Sequence, residues 1–310
     1  MNILVTGGAG YIGSMLVPEL LQRNHTITVL DNFRYHQTSL MDLCHHKHLK
    51  IIRGDSRDRE LIKKLIKDQD CIFPLACLTG APICDKYPRE AKEINLDAIQ
   101  ILLELKSPSQ RVILPNTNSG YGIGEKDIYC SEQTPLKPVS LYGRLKVEAE
   151  TILLSHENTI SFRLATVFGM SPRMRLDLLV NEFVYRAVKD GFIVLFEAHF
   201  KRNYIHIRDV VKAFLHGLEH FEEMKGQVYN VGLSNTNLSK LELCQTIQKY
   251  VPKFVFVEQK IGEDPDQRNY IVSNEKIEKT DYKPNYSLDD GIQELIQGYE
   301  ILATPYFRNA

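Results

Sequence analysis

The chain has 310 residues, with 38 Lys plus Arg against 39 Asp plus Glu, a formal net charge of −1 and a pI near 6.8. Phosphate neutralisation dominates nucleic-acid binding, so a chain this close to neutrality argues against a polyanion partner. At 43% hydrophobic and 25% charged residues it reads as a globular protein of one large or two ordinary domains, and no stretch reaches the roughly 20 apolar residues of a membrane helix.

The first residues, MNILV, read as a strand and not as a leader, and a cytoplasmic location is expected. Short β-branched runs predict strands over 2–6, 26–30, 50–53, 71–75, 111–115 and 160–164. Helix-period segments lie between them over 12–23, 59–67, 89–105 and 140–155. This alternation predicts an α/β fold with a doubly wound parallel sheet. After residue 170 the rhythm loosens, with helices expected near 176–189, 210–221, 240–250 and 288–301 and a strand near 228–231. The expected division is a Rossmann domain over 1–170, rejoined by 207–232, and a smaller interleaved α/β substrate region made of 171–206 and 233–310. Six cysteines contain no C-x-x-C pair, so reduced thiols and no metal site are expected; His45-His46-Lys47-His48 reads as a solvated loop.

The strongest local signal is Thr6-Gly7-Gly8-Ala9-Gly10-Tyr11-Ile12-Gly13, which follows the first strand and opens the first helix. Glycines at this spacing permit a tight turn, let backbone approach a pyrophosphate, and let helix and strand pack closely. The helix N-terminus then offers unpaired N–H groups and a positive dipole end. Asp31 follows Gly13 by 18 residues, at the end of the second strand, where its carboxylate can accept from both hydroxyls of an adenosine ribose. A carboxylate there repels a 2′-phosphate, so NAD is favoured over NADP and Arg34 reads as a solvated loop arginine. Asp55, in Gly54-Asp55-Ser56, has two open readings: a contact to the adenine amino group, or the N-cap of the next helix.

Tyr142 and Lys146 stand at i and i+4 on a predicted helix, one turn apart on one face. An adjacent ammonium favours phenolate over phenol, as a base that removes an alcohol proton during hydride transfer requires. A second Tyr-x-x-x-Lys occurs at Tyr185/Lys189, but only the first follows the fifth strand and its polar tip, Asn116 to Gly122, at the sheet edge where ligands bind.

These motifs, with Arg163 and Gly169 in RLATVFG, the run 202–209 (RNYIHIRD), Asn230-Val231-Gly232 and Lys283-Pro284, resemble the extended short-chain dehydrogenase/reductases, specifically the NAD-dependent nucleotide-sugar epimerases and dehydratases. The resemblance covers nearly the whole chain. It implies Tyr142 as base, Lys146 as holder of the nicotinamide ribose and tuner of the tyrosine, and Thr117 as the hydroxyl on the reacting group, with Ser119 a second candidate. It implies cofactor contacts from Gly7, Gly10, Tyr11, Ile12, Asp31, Asn32, Asp55, Ser56, the Leu75 and Ala76 backbone, and Asn95 behind the nicotinamide. Where the dehydratases carry Asp and Glu after the threonine, this chain has Asn118 and Ser119, which argues against dehydration. Thr166 replaces the family's asparagine, weakening or redirecting that substrate contact. The runs 117–125 and 171–181 look like those of the group that oxidises C4 of GDP-manno-heptose.

A nucleoside diphosphate is met by arginine, whose planar fork matches phosphate oxygens. Arg173, Arg175, Arg202, Arg208 and Arg268 are the available residues in the second half. By resemblance Arg202 and Arg268 grip the diphosphate, with Asn181 and the Leu195-Phe196 backbone near the base and Arg173 also on the substrate side. Arg208-Asp209 is expected to form a structural pair, and His206 to be a packed histidine. The expected protein is thus an NAD-dependent nucleotide-sugar 4-dehydrogenase, with a 4-epimerase as the alternative and a non-catalytic NAD-binding sensor as a more distant one. The resemblance also implies a homodimer.

Overall fold

The computed structural model describes residues 1–259 and 268–302. Seven parallel strands form its central sheet: β1 (Asn2–Thr6), β2 (Thr26–Asp31), β3 (Leu49–Arg53), β4 (Cys71–Pro74), β5 (Arg111–Thr117), β6 (Thr159–Leu164) and β7 (Gln227–Val231). Their spatial order is β7-β6-β5-β4-β1-β2-β3, so the winding direction reverses between β1 and β4. A ligand crevice opens at such a reversal, beyond the carboxyl ends of the strands. Thr6 pairs with Leu30 and with Pro74, and Thr117 with Leu164, so those ends share one edge.

Helices cover both faces. Ile3 and Val5 of β1 pack with Leu16, Leu20 and Phe214 on one side, while Leu4 packs with Ile62, Leu102 and Tyr142 on the other. A strand buried on both faces needs no polar alternation, which is why β1 and β4 read as unbroken apolar runs. A third core, around Val180, Leu243 and Leu295, joins the helices Leu179–Tyr185, Lys240–Gln248 and Leu288–Ile301. Among the described residues no helix is long and apolar enough to cross a membrane.

The second half contains strands that periodicity does not predict. Thr166–Phe168, Lys201–His206 and Asn237–Ser239 form one small sheet, and Phe192–Phe196 pairs with Val255–Gln259. In Phe192–Phe196 only Leu195 is buried, and KRNYIH buries mostly polar side chains, so neither segment shows a strand's apolar pattern. The single helix expected over 89–105 is instead Pro88–Lys92, a π turn at Glu93–Asp97 and Ala98–Leu105. The one expected over 176–189 starts at Leu179 and closes in a π turn, Arg186–Asp190, ended by Gly191 at φ 75°.

Candidate active site

One cavity of about 510 Å³ runs along the carboxyl edge of the sheet, from Asp31 and Asp55 past the glycine turn to Thr117, Tyr142, Arg202 and Arg268. The glycine turn is tight because nothing larger fits. A Cβ on Gly7, whose φ is 69°, would lie 2.6 Å from the Ala76 nitrogen, and one on Gly13 would lie 2.6 Å from the Gly8 backbone. The Gly13–Gln22 helix has Ile12 at its N-cap, with no side-chain cap and no acidic residue in its first turn. Its N–H groups and dipole therefore face the cavity without a competing carboxylate, a cradle suited to a pyrophosphate.

Asp31 is buried at the end of β2. Its Oδ2 accepts from the Ala9 N–H at 3.0 Å, and its Oδ1 accepts from the Phe33 N–H at 2.8 Å and from Gln37 Nε2 at 3.1 Å. Burial pushes its carboxyl above the usual range, while those hydrogen bonds favour the charged form. Arg34 is not a solvated loop arginine: it pairs with Glu90 at 2.5 Å and stacks on Tyr87, only 28% exposed. Of the two readings of Asp55, the N-cap falls, because Asp58 caps the Arg59–Ile66 helix by accepting from the Leu61 N–H. Asp55 instead makes a two-pronged pair with Arg57, which holds its carboxyl below the usual carboxylate range, and it lines the cavity with Asn32 and Ser56. Tyr11, Ile12, Leu75 and Ala76 also line it.

Ser140 caps the Leu141–Leu154 helix by accepting from the Gly143 N–H, which puts Tyr142 and Lys146 on the inward face under β5. Lys146 donates to the Pro115 carbonyl at 2.6 Å. Burial pushes the Lys146 ammonium down and the Tyr142 phenol well up, opposite to the tuning expected from spacing alone. The cations that oppose burial at Tyr142 are Arg268 and Arg175. Thr117 is positioned from behind. Asn116 accepts from the Thr117 N–H at 2.9 Å and donates to Glu150 at 2.7 Å, and Glu150, on the Tyr142 helix, is itself held by Arg163 at 2.7 Å. A buried pair of this kind ties β5 and β6 to the helix bearing the tyrosine, and removing one partner strands the other charge. Thr117 and Ser119 hydroxyls lie 2.8 Å apart, and Arg268 Nη1 donates to Ser119.

Several expected residues stand off the cavity wall. Asn95, in the π turn, holds the backbone of Leu78 with both ends of its amide, at 2.8 and 2.9 Å, and so shapes the wall without forming it. Asn181 is fully buried, accepting from the Gly169 N–H and donating to the Arg175 carbonyl. Asn118 is buried with neither amide atom paired among the described residues. Leu195 lines a neighbouring groove that shares Leu179, Glu182 and Lys240 with the main cavity. Arg173 does line the cavity, with its guanidinium 4.8 Å from the centre of the Tyr35 ring. Thr166, Arg202 and Arg268 line it as well. Arg208 and Asp209 do not pair: Arg208 reaches Glu294, and Asp209 accepts from the Asn285 and Tyr286 N–H groups. His206 is fully buried against Glu294 and Tyr286, a packed residue as expected. Tyr185 packs on Tyr299 and is no part of the cavity. Tyr35, Gln37, Thr79 and Arg175 are wall residues that motif reading does not assign; an aromatic four residues after Asp31 is the only sequence trace of Tyr35.

Residues 3–232 match the NAD dependent epimerase/dehydratase family. The low-salt glycan biosynthesis protein Agl12 of Haloferax volcanii is 28% identical over 96% of this chain and 98% of its own. The UDP-glucose 4-epimerase of Lactobacillus helveticus is 25% identical over 80% of this chain and 81% of its own. Among solved structures, a dTDP-glucose 4,6-dehydratase from Bacillus anthracis in complex with NAD superposes with a TM-score of 0.83 at 27% identity, covering 97% of this chain and 96% of that one. The glycine cradle, the buried carboxylate of Asp31 and the inward Tyr142–Lys146 pair fit the dinucleotide that this family uses. The chain belongs to the NAD dependent epimerase/dehydratase family, an enzyme with NAD as its cofactor.

Proposed function

We propose that the protein oxidises the C4 hydroxyl of a nucleotide-activated sugar in the cytoplasm, with GDP-manno-heptose as substrate and the 4-keto sugar as product. The observation that carries this reading is that the glycine turn, the Thr117–Tyr142–Lys146 group, Arg202 and Arg268 all line one cavity. NAD, when bound, would supply the hydride acceptor for C4; Gly7, Gly10, Tyr11 and Ile12 would hold its pyrophosphate, and Asp31 its adenosine ribose. Arg202 and Arg268 take the substrate's diphosphate, which brings the sugar to β5. Thr117, fixed through Asn116 and Glu150, orients the hydroxyl, and Tyr142 receives its proton. Burial pushes the Tyr142 phenol up, and Arg268 and Arg175 oppose that shift, favouring the phenolate form the step needs. Asn118 and Ser119 offer no carboxyl for eliminating water, so the keto sugar is not carried on to a dehydrated product.

A 4-epimerase is the second reading, favoured by the epimerase among the relatives and by its need for the same three side chains. Incubation with GDP-manno-heptose, and separately with UDP-hexoses, followed by NMR of the sugar decides between them. A 4-keto product with reduced cofactor is expected; an inverted C4 hydroxyl with no net NADH would establish the epimerase instead. The homodimer implied by the resemblance belongs to the same proposal, and light scattering at the mass of a single chain would contradict it.

A further inference from the structure

We propose that Ser119 is a positioning residue that links Arg268 to Thr117 and sets the Thr117 hydroxyl to donate to the reacting sugar oxygen. The inference rests on C4 oxidation of a nucleotide sugar whose diphosphate lies on Arg268.

The three side chains follow one another along the cavity wall. Thr117 ends β5, and its hydroxyl accepts from the Ser119 N–H at 3.1 Å, capping the short turn Asn118–Tyr121. That turn is seated on the tyrosine helix: a Cβ on Gly143, the residue after Tyr142, would stand 3.2 Å from the Ser119 carbonyl oxygen. Ser119 is 1% exposed yet reaches the cavity. Among the described residues its Oγ has two partners, Thr117 Oγ1 at 2.8 Å and Arg268 Nη1.

The direction of these bonds follows from what each group can do. A guanidinium donates and cannot accept, so Ser119 Oγ is the acceptor for Arg268. The Ser119 proton then has one acceptor among the described residues, Thr117 Oγ1. A cation on the serine oxygen also makes its O–H a stronger donor. Thr117 Oγ1 thus accepts from both the N–H and the O–H of Ser119, and a hydroxyl with both lone pairs taken has only its own proton to offer. That is the orientation oxidation requires. A sugar hydroxyl that gives its proton to Tyr142 is held in place by accepting from its other neighbour. With Thr117 turned the other way, its proton would go to Ser119 and none would reach the sugar. The arginine on the diphosphate and the proton direction at C4 are therefore joined through one serine hydroxyl.

Steady-state kinetics on NAD-loaded full-length enzyme test the link, with GDP-manno-heptose or UDP-glucose, whichever the wild type turns over. Ser119→Ala should lower kcat about tenfold, the effect of losing one buried hydrogen bond, and leave KM within about twofold of wild type. Arg268→Ala should raise KM and also lower kcat about tenfold. The double variant should keep the KM of Arg268→Ala, with kcat no more than about twofold below either single variant. In a Thr117→Ala background Ser119→Ala should change kcat by less than about twofold, because its action runs through Thr117. Losses in kcat that multiply to about a hundredfold in the Ser119/Arg268 double variant would show two independent residues and overturn the link. A further loss of about tenfold on top of Thr117→Ala would put Ser119 on the reacting group itself, and a raised KM with unchanged kcat in Ser119→Ala would make it a substrate contact; either overturns the positioning role. Wild-type protein that turns over neither sugar would overturn the C4-oxidation reading and the inference with it, a result distinct from any pattern among the variants.

Discussion

The two ends of the cavity are built by different means. At the cofactor end a single run of eight residues, 6–13, folds its own backbone into the cradle, and its geometry is enforced by clashes that any Cβ would create. The end expected to take the substrate is assembled from side chains of Thr117, Ser119, Thr166, Arg202 and Arg268, which meet only because four separate segments fold together. A backbone site depends on the fold and in turn supports it; a side-chain site can lose a member and leave the fold standing.

The sharpest way to break that contrast is at Tyr142, where the two ends meet. Tyr142→Phe should cut turnover by about 10²- to 10⁴-fold, the usual worth of a positioned base, while NAD and nucleotide-sugar affinities stay near wild type. Paired binding and rate measurements check this, and turnover near wild type would remove the tyrosine from its role. At the substrate end Arg202→Ala should weaken nucleotide-sugar binding by about tenfold to a hundredfold, with the melting temperature and NAD affinity unchanged. At the cofactor end Gly13→Ala should act on fold and ligand together. The methyl meets Gly8 backbone at 2.6 Å and should cost about 1–3 kcal/mol of stability in denaturant melts, with NAD binding lost in parallel. If Gly13→Ala spared stability, or Arg202→Ala lowered it, the contrast would fail.

Alkaline pH tests burial itself. Burial pushes the phenols of Tyr11, Tyr142, Tyr204 and Tyr299 above their ordinary value near 10. Between pH 10 and their folded values the unfolded chain therefore binds fewer protons than the native one, and stability falls as pH rises. The stabilisation is complete below about pH 10 and declines above it by at most about 1.4 kcal/mol per pH unit for each phenol. Urea melts from pH 8 to 11 should show the decline, and Tyr142→Phe should reduce its slope.

What could be read from the sequence follows the same division. The strands β1 to β6, the glycine turn and Asp31 are consecutive or periodic features, and each lies within two residues of its expected place. Tyr142 and Lys146 were legible because helical spacing and position after β5 constrain them. The stacking of Arg173 on Tyr35 was not legible, since nothing local says that its segment crosses back to the loop after β2. Asn95 and Asn181 carry motif identities yet hold backbone of Leu78, Gly169 and Arg175, a distinction that only three-dimensional hydrogen bonding reveals. The small strands of the second half escaped because their burial does not follow a period of two.

Hydride transfer from C4 is open to one direct measurement. GDP-manno-heptose deuterated at C4 is incubated with the wild-type protein and with Tyr142→Phe, and cofactor and sugar are analysed by mass spectrometry. Wild type should place deuterium on the reduced cofactor and yield a 4-keto sugar, and the variant should yield neither. Turnover to a product that keeps both the deuterium and the original configuration at C4 would contradict oxidation at that carbon, whereas deuterium on an inverted C4 would identify the epimerase.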